Sequence, residues 1–460
     1  MILLLLLLQE TAHDVSFATA DGSSLKGTTT VQSIKVTTDV GELEISVEKI
    51  RTVTFGSGKV TIFTHEGSGV NGTCSVAEWK FATDLGPITV KSERMRQISF
   101  PAHAKAPEVK PKPTPGPQPG PGPKPGPSAT VDNDVAPVTT FKLSASVEDL
   151  FLSNDRKWLY LLNTTTLKLH RIDTAKLAVD STAIDVPKGT EAMCLSPDGA
   201  TIYVAASPDG HLPIDRKQTT GKIVVVDAAS WKIRTTFAVD VDPWDIEADD
   251  ARVYVTCGYS ATGAVVVIDV AKSAVVAQWG RREPFAVLRI TPDRRRLYFG
   301  QTEVQPADFW CAPIPDDPAK TKVEVYDSPY HGEHPLGGRF EISPDGAFLA
   351  AATGSVLRLT KVQDGDLKHA GRVESHTAAA FDKGTLLTAT ASGMFRRYAL
   401  PDVTLVRSAR FGGKAYRLAY DPATKMAFCA VETEKPKDPR APHGTGDLAV
   451  YSLTELMKEK

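Results

Sequence analysis

Met193-Cys194-Leu195-Ser196-Pro197-Asp198-Gly199 leads into Thr201-Ile202-Tyr203-Val204-Ala205, and then Ile223-Val224-Val225-Val226-Asp227. An apolar run, a tight turn, a β-branched run and a further strand ending in Asp make up this phrase. It returns from Leu288 to Phe299 around Thr291-Pro292-Asp293, and again from Phe340 to Ala352 around Ser343-Pro344-Asp345-Gly346. Asn154-Asp155, Asp249-Asp250, Asp382-Lys383-Gly384 and Asp421-Pro422 mark four more turns at comparable spacing. A four-strand phrase repeated every 40 to 50 residues is the signature of β-propeller blades. Residues 138–460 therefore read as a seven-bladed ring.

The ends of that stretch support closure. Val138-Thr139-Thr140-Phe141-Lys142-Leu143 has the pattern of an outermost fourth strand, and Leu448-Ala449-Val450-Tyr451 that of a third. Pairing the two completes the last blade and removes the open edges that invite aggregation. The Ser-Pro-Asp-Gly…Tyr-Val-Ala phrase resembles the YVTN/YncE-like seven-bladed propellers of the WD40-like superfamily. The chain lacks the Gly-His and Trp-Asp dipeptides of true WD40 repeats. The resemblance implies an exported binding or interaction module. Lactonases use similar rings, so the fold does not decide the activity.

Upstream, residues 15–55 and 60–100 align without a gap. Gly22-Ser23 matches Gly67-Ser68, Gly27-Thr28 matches Gly72-Thr73, and Thr38-Asp39 with Gly41 matches Thr83-Asp84 with Gly86. Alternating apolar and polar residues give half-buried strands, and the Gly-bearing pieces give hairpins. Residues 13–100 read as a duplicated small β-module: two SH3-like or Sm-like barrels, or one barrel built from both copies. The pattern resembles tandem β-modules of exported planctomycete proteins. Glu42, Glu44 and Glu48 offset its lysines, so no RNA-binding role follows.

Between the two lies a proline-rich segment, residues 101–137. From Pro111 to Pro127 every second residue is proline. Proline fixes φ and removes a donor, which excludes helix and sheet and leaves an extended polyproline rod of about 50 Å. It reads as a spacer, with a proline-motif ligand as the rival. Residues 1–12 resemble a secretory leader, with Leu3 to Leu8 as its apolar core and no basic residue before it. A mis-assigned start or an uncut leader stays open. The expected location is extracytoplasmic.

Composition bounds the partners. The 460 residues carry a net charge of −2, with 42% apolar and 23% charged residues. No basic stripe interleaved with aromatics points to nucleic acid, and no run beyond the leader approaches a membrane span. The five cysteines form no CxxC pair, so neither a zinc ribbon nor a c-type haem is indicated. No G-x-S-x-G, P-loop or H-E-x-x-H motif occurs. No cofactor is implied.

Chemistry is expected on the face that carries the loops between blades and the loops joining second and third strands. Three of the latter are long: Ala206 to Gly221, Gly300 to Lys320, and Val431 to Gly446. Trp244 offers a stacking platform or inter-blade packing. Arg281 and Arg282 offer a fork for carboxylate or phosphate, or pair with Glu283. His331, Glu333, His334 and His376 are the sharpest cluster. Imidazole and carboxylate suit a divalent metal, and an exposed polar loop is the alternative. Trp310, in the Pro306 to Pro318 loop, is an expected contact residue. The whole reads as an exported, non-catalytic platform for an envelope or extracellular protein or glycan. The alternative is a lactonase-like hydrolase or lyase, possibly metal-dependent, with its site in the central funnel.

Overall fold

The computed structural model describes residues 12–19, 24–38, 41–56, 59–64, 69–83, 86–100, 131–211, 220–259, 261, 263–281, 283–300, 307–434 and 444–458. The leader, the alternating-proline rod, Arg282 and parts of the three long loops lie outside the described residues. The chain divides into two compact units, Met1–Gly120 and Pro121–Lys460.

The first unit is a single ten-stranded sheet. Its strands are β1 (His13–Thr19), β2 (Ser24–Thr29), β3 (Ser33–Thr38), β4 (Gly41–Ser46), β5 (Ile50–Gly56), β6 (Lys59–Thr64), β7 (Gly69–Cys74), β8 (Glu78–Thr83), β9 (Gly86–Lys91) and β10 (Met95–Ser99). They run in the order β4-β3-β7-β6-β5-β10-β1-β2-β8-β9. Exchanging the two copies, β1 for β6 and so on, turns this order into its own reverse. The sheet therefore has an internal two-fold between β5 and β10. Each copy lends its third and fourth strands to the other: β3 pairs with β7, and β2 with β8. The matched glycines explain how the exchange is possible. A Cβ on Gly27 would lie 2.4 Å from the Ala82 carbonyl oxygen, and one on Gly72 would lie 2.3 Å from that of Thr37. The alternating apolar positions bury Ile34, Val36, Ile50, Val53, Ile62, Trp79 and Ile98. Phe17 stacks on Phe81 at 3.8 Å, and the Trp79 indole donates to Ser92 Oγ at 2.9 Å.

The second unit is a seven-bladed propeller of antiparallel blades. The innermost strands are Val147–Leu152, Thr190–Leu195, Pro243–Ala248, Val287–Ile290, Phe340–Ile342, Ala378–Asp382 and Lys414–Asp421, numbered here blades 1 to 7. Second strands such as Thr201–Ala206 are buried throughout, because neighbouring blades cover both faces. The fourth strand Lys232–Val239 of blade 2 is mostly exposed. The recurring phrase now has physical content. Ser196 Oγ donates to Asp198 Oδ1 at 2.6 Å and accepts the Thr201 N–H at 2.9 Å. Thr291 and Asp293 repeat the arrangement, as do Ser153 and Asp155. The strand-ending Asp residues accept the N–H groups of the following turn, as at Asp173, Asp227 and Asp269. Four residues later each turn passes through positive φ, at Leu177, Trp231 and Ser273.

The ring closes as the sequence predicts. Thr139–Ala145 pairs antiparallel with Gly446–Ser452 and becomes the fourth strand of blade 7. Asp447 is the clasp. Its Oδ1 accepts the N–H groups of Leu143 and Ser144 at 3.0 and 3.2 Å, and its Oδ2 accepts Lys142 Nζ at 2.9 Å. Residues 131–134, which composition places in the linker, run parallel to Thr404–Arg410 on the outer edge of blade 6. They contain no proline, so their donors can join a ladder.

Candidate functional site

Antiparallel order puts the beginnings of all inner strands and the loops after the second strands on one face of the ring. The turns between first and second strands, such as those at Asp198, Asp293 and Asp345, lie on the other. On the first face, where blades 2, 3 and 4 meet, the chain builds an aromatic corner. Trp244 is the second residue of its inner strand and is half-buried. Its ring stands edge-on to His211 at 5.3 Å and to Phe285 at 5.0 Å, and Tyr259 meets Phe285 at 5.0 Å.

His211 is gripped from both ends. Nδ1 lies 3.0 Å from Asp242 Oδ2, and Nε2 forms an ion pair with Glu191 Oε1 at 3.4 Å. Asp242 is fully buried and also accepts the Tyr259 N–H at 2.9 Å. A Cβ on Gly258 would lie 2.4 Å from His211 Nδ1, so the ring fits only because residue 258 has no side chain. Burial opposes the imidazolium, but the two carboxylates outweigh it and push the pKa up to about 9. His211 is a fixed cation at neutral pH. Sequence reasoning did not nominate it. The signal was its position after Pro208-Asp209-Gly210 at the start of a long loop.

The nominated histidines go to separate places. His376 is buried on the funnel wall with Nδ1 3.2 Å from the Glu374 carbonyl oxygen. Burial pushes its pKa down to about 4, so it is neutral. His334 stacks on His369 with centroids 3.8 Å apart, and its edge meets Tyr330. Glu333 accepts the His331 backbone N–H at 2.6 Å. The exposed His331 ring lies 3.5 Å from Asp308 Oδ2. His331, Asp308 and Asp327 bring one donor atom each within 4.8 Å of one another. Arg281 is exposed. Trp310 belongs to the third strand of blade 4, Phe309–Pro313, where it stacks half-buried on Phe299 at 5.7 Å.

The inner strands enclose a funnel of about 450 Å³ whose wall is charged. Asp149 and Asp245 occupy matching places at the strand bulges of blades 1 and 3. Each accepts the N–H of its own next residue and one from the following blade, Met193 and Leu288 respectively. Arg289 pairs with Asp245 at 3.3 Å and with Glu341 at 3.2 Å. Glu148 of blade 1 receives Arg417 of blade 7 at 2.7 Å and Arg339 of blade 5 at 3.1 Å. The second pair joins blades that are not neighbours. Burial pushes the Glu247 carboxyl up to about 8, despite Arg289 at 3.9 Å.

No family model matches the chain, and no curated protein matches it. Solved structures do. The β-propeller domain of Myceliophteria thermophila Cps50 (Swd1) superposes with a TM-score of 0.52 at 11% identity, covering 69% of this chain and 99% of that one. Hydrazine synthase of Kuenenia stuttgartiensis gives a TM-score of 0.46 at 18% identity, covering 64% and 94%. At 11% identity the likeness to the Cps50 domain establishes the propeller fold alone.

Proposed function

We propose that the chain is an exported, non-catalytic recognition protein of YVTN type. Its propeller binds an envelope or extracellular protein or glycan through the face that carries the aromatic corner. Residues 101–130 act as a spacer, and the duplicated sheet is an independent module. One observation carries the reading: Trp244, Tyr259 and Phe285 are half-buried around a His211 cation whose position Glu191, Asp242 and Gly258 fix. Rings held this way present apolar area and a charge with little ordering left to do on contact. His376, His334 and His331 each face different partners, which favours recognition over the catalytic alternative.

A glycan array and envelope-protein crosslinking, run on the full chain, test this. A Trp244→Ala/Tyr259→Ala variant should lose binding by about thirtyfold, while Lys157→Glu on the opposite face should retain it. Retention by the first variant defeats the proposal. The hydrolase or lyase reading draws on one feature, Glu247, whose carboxyl titrates near 8 on the funnel wall. Lactone turnover abolished by Glu247→Gln would establish it instead.

A further inference from the structure

We infer that Asp308, Asp327 and His331 form a binding site for a borderline divalent cation, Zn²⁺ or Mn²⁺. The site lies on the loop-bearing face where blade 4 passes to blade 5.

The argument begins with charge. Most buried aspartates of the propeller face a built-in cation. Asp245 has Arg289, Asp249 has Arg252, Asp366 has Arg296, Asp421 has Arg156, Asp447 has Lys142 and Asp242 has His211. Asp308 is 7% exposed, and its sole ion-pair partner among the described residues is the exposed His331 ring at 3.5 Å. The carboxylate of Asp327 stands beside it and adds like charge. Two carboxylates held together, with no Arg or Lys paired to either among the described residues, form a site that a cation stabilises.

Orientation supplies the second line. Asp308 Oδ1 is held by the Phe309 N–H at 2.7 Å and by the Ser328 hydroxyl. Oδ2 accepts no hydrogen bond among the described residues and faces His331 Nδ1. One oxygen tied back and the other left free is how a second shell aims a ligating carboxylate. The elements that carry the three ligands are themselves fixed. Asp327 lies opposite Trp310 in the ladder between Phe309–Pro313 and Tyr326–Asp327, and the Ser328 N–H bonds the Phe309 carbonyl at 2.9 Å.

The donor spacing fits an ion. Ligands about 2.1 Å from a common metal lie at most about 4.2 Å apart, and these three atoms lie within 4.8 Å of one another, so small side-chain rotations bring them onto one ion. One imidazole with two carboxylates suits Zn²⁺ or Mn²⁺ better than Ca²⁺, which takes oxygen ligands. Three protein ligands leave a position for water or for a donor from outside the chain. The inference does not depend on the recognition reading, because its test reads ion binding alone.

Calorimetric titration of the chelator-treated full chain with Zn²⁺ and with Mn²⁺ decides the matter. One ion per chain is expected. His331→Ala and Asp308→Asn should each weaken binding at least tenfold, and Ser328→Ala about tenfold by releasing the aimed carboxylate. Asp316→Asn, on a side chain that is 93% exposed, should leave affinity unchanged. His331 is exposed, so its variant keeps the fold, and circular dichroism checks Asp308→Asn. Absence of one-to-one binding, or equal affinity in the wild type and in both ligand variants, overturns the site. So does Ca²⁺ binding as tightly as Zn²⁺ with no response to His331→Ala.

Discussion

The two units both arise by repetition, and they join their repeats in opposite ways. In the first unit, two copies exchange strand pairs across an internal two-fold, and every pairing is made within about a hundred residues. In the second, blades 1 to 5 pair only within themselves, blade 6 takes residues 131–134 on its outer edge, and blade 7 borrows Thr139–Ala145 from the start of the ring. Exchange demands close backbone crossings, so it depends on glycine at Gly27 and Gly72. Ring closure demands that one strand be held in place, so it depends on a buried carboxylate, Asp447.

The sharpest way to break the contrast is Gly72→Ala. The added Cβ meets the Thr37 carbonyl oxygen at 2.3 Å, in backbone that cannot yield cheaply. A loss of about 3 kcal/mol or more is expected in the first unit. Scanning calorimetry of the full chain should show that transition fall while the propeller transition holds.

Asp447→Ala addresses the other closure. It leaves the Leu143 and Ser144 N–H groups without their carboxylate. About 3 kcal/mol should be lost from the propeller alone in a urea titration. Asp245→Ala, which unties blade 3 from blade 4 but leaves the ring closed, should cost about 2 kcal/mol by the same measurement.

The pH response separates the aromatic corner from the closures. The folded pKa of His211 is raised above the free value of about 6.5 to about 9. Its contribution is therefore complete below pH 6.5 and fades as pH rises through 9. The stability difference between the wild type and His211→Gln should be constant from pH 6 to 6.5 and shrink towards pH 10. A constant difference across that range would show that the ion pairs do not form. The smallest effect is expected from Lys142→Ala. Its ammonium is 79% exposed, so removing it should cost no more than about 0.5 kcal/mol, although it touches the same Asp447.

Much of the propeller was legible because its determinants are local. Ser196 with Asp198, or Asp227 with Ser230, act within a few residues, and such spacings repeat visibly. The closing strand was legible from its pattern and its place at the end of the count. The exchange in the first unit was not. Gly27 and Gly72 align in sequence, but their need for close approach appears only once β2 lies against β8 and β7 against β3. The candidate sites were harder still. Trp244 and His331 were visible as residue types on the right loops. Their partners His211, Asp308 and Asp327 come from other loops and strands. Distances of 31 residues between His211 and Asp242, or 23 between Asp308 and His331, become contacts only after the hairpins form.

Ring closure also sets an order of events at synthesis. Lys142 and Asp447 are 305 positions apart. At ordinary translation speeds the strand that completes blade 7 leaves the ribosome about 15–60 s before its partner exists. During that interval six blades can assemble in turn, while the segment around Phe141 has no lattice to join. The last strand of the ring gives the first its place, and the newborn ring stays open until blade 7 has been made.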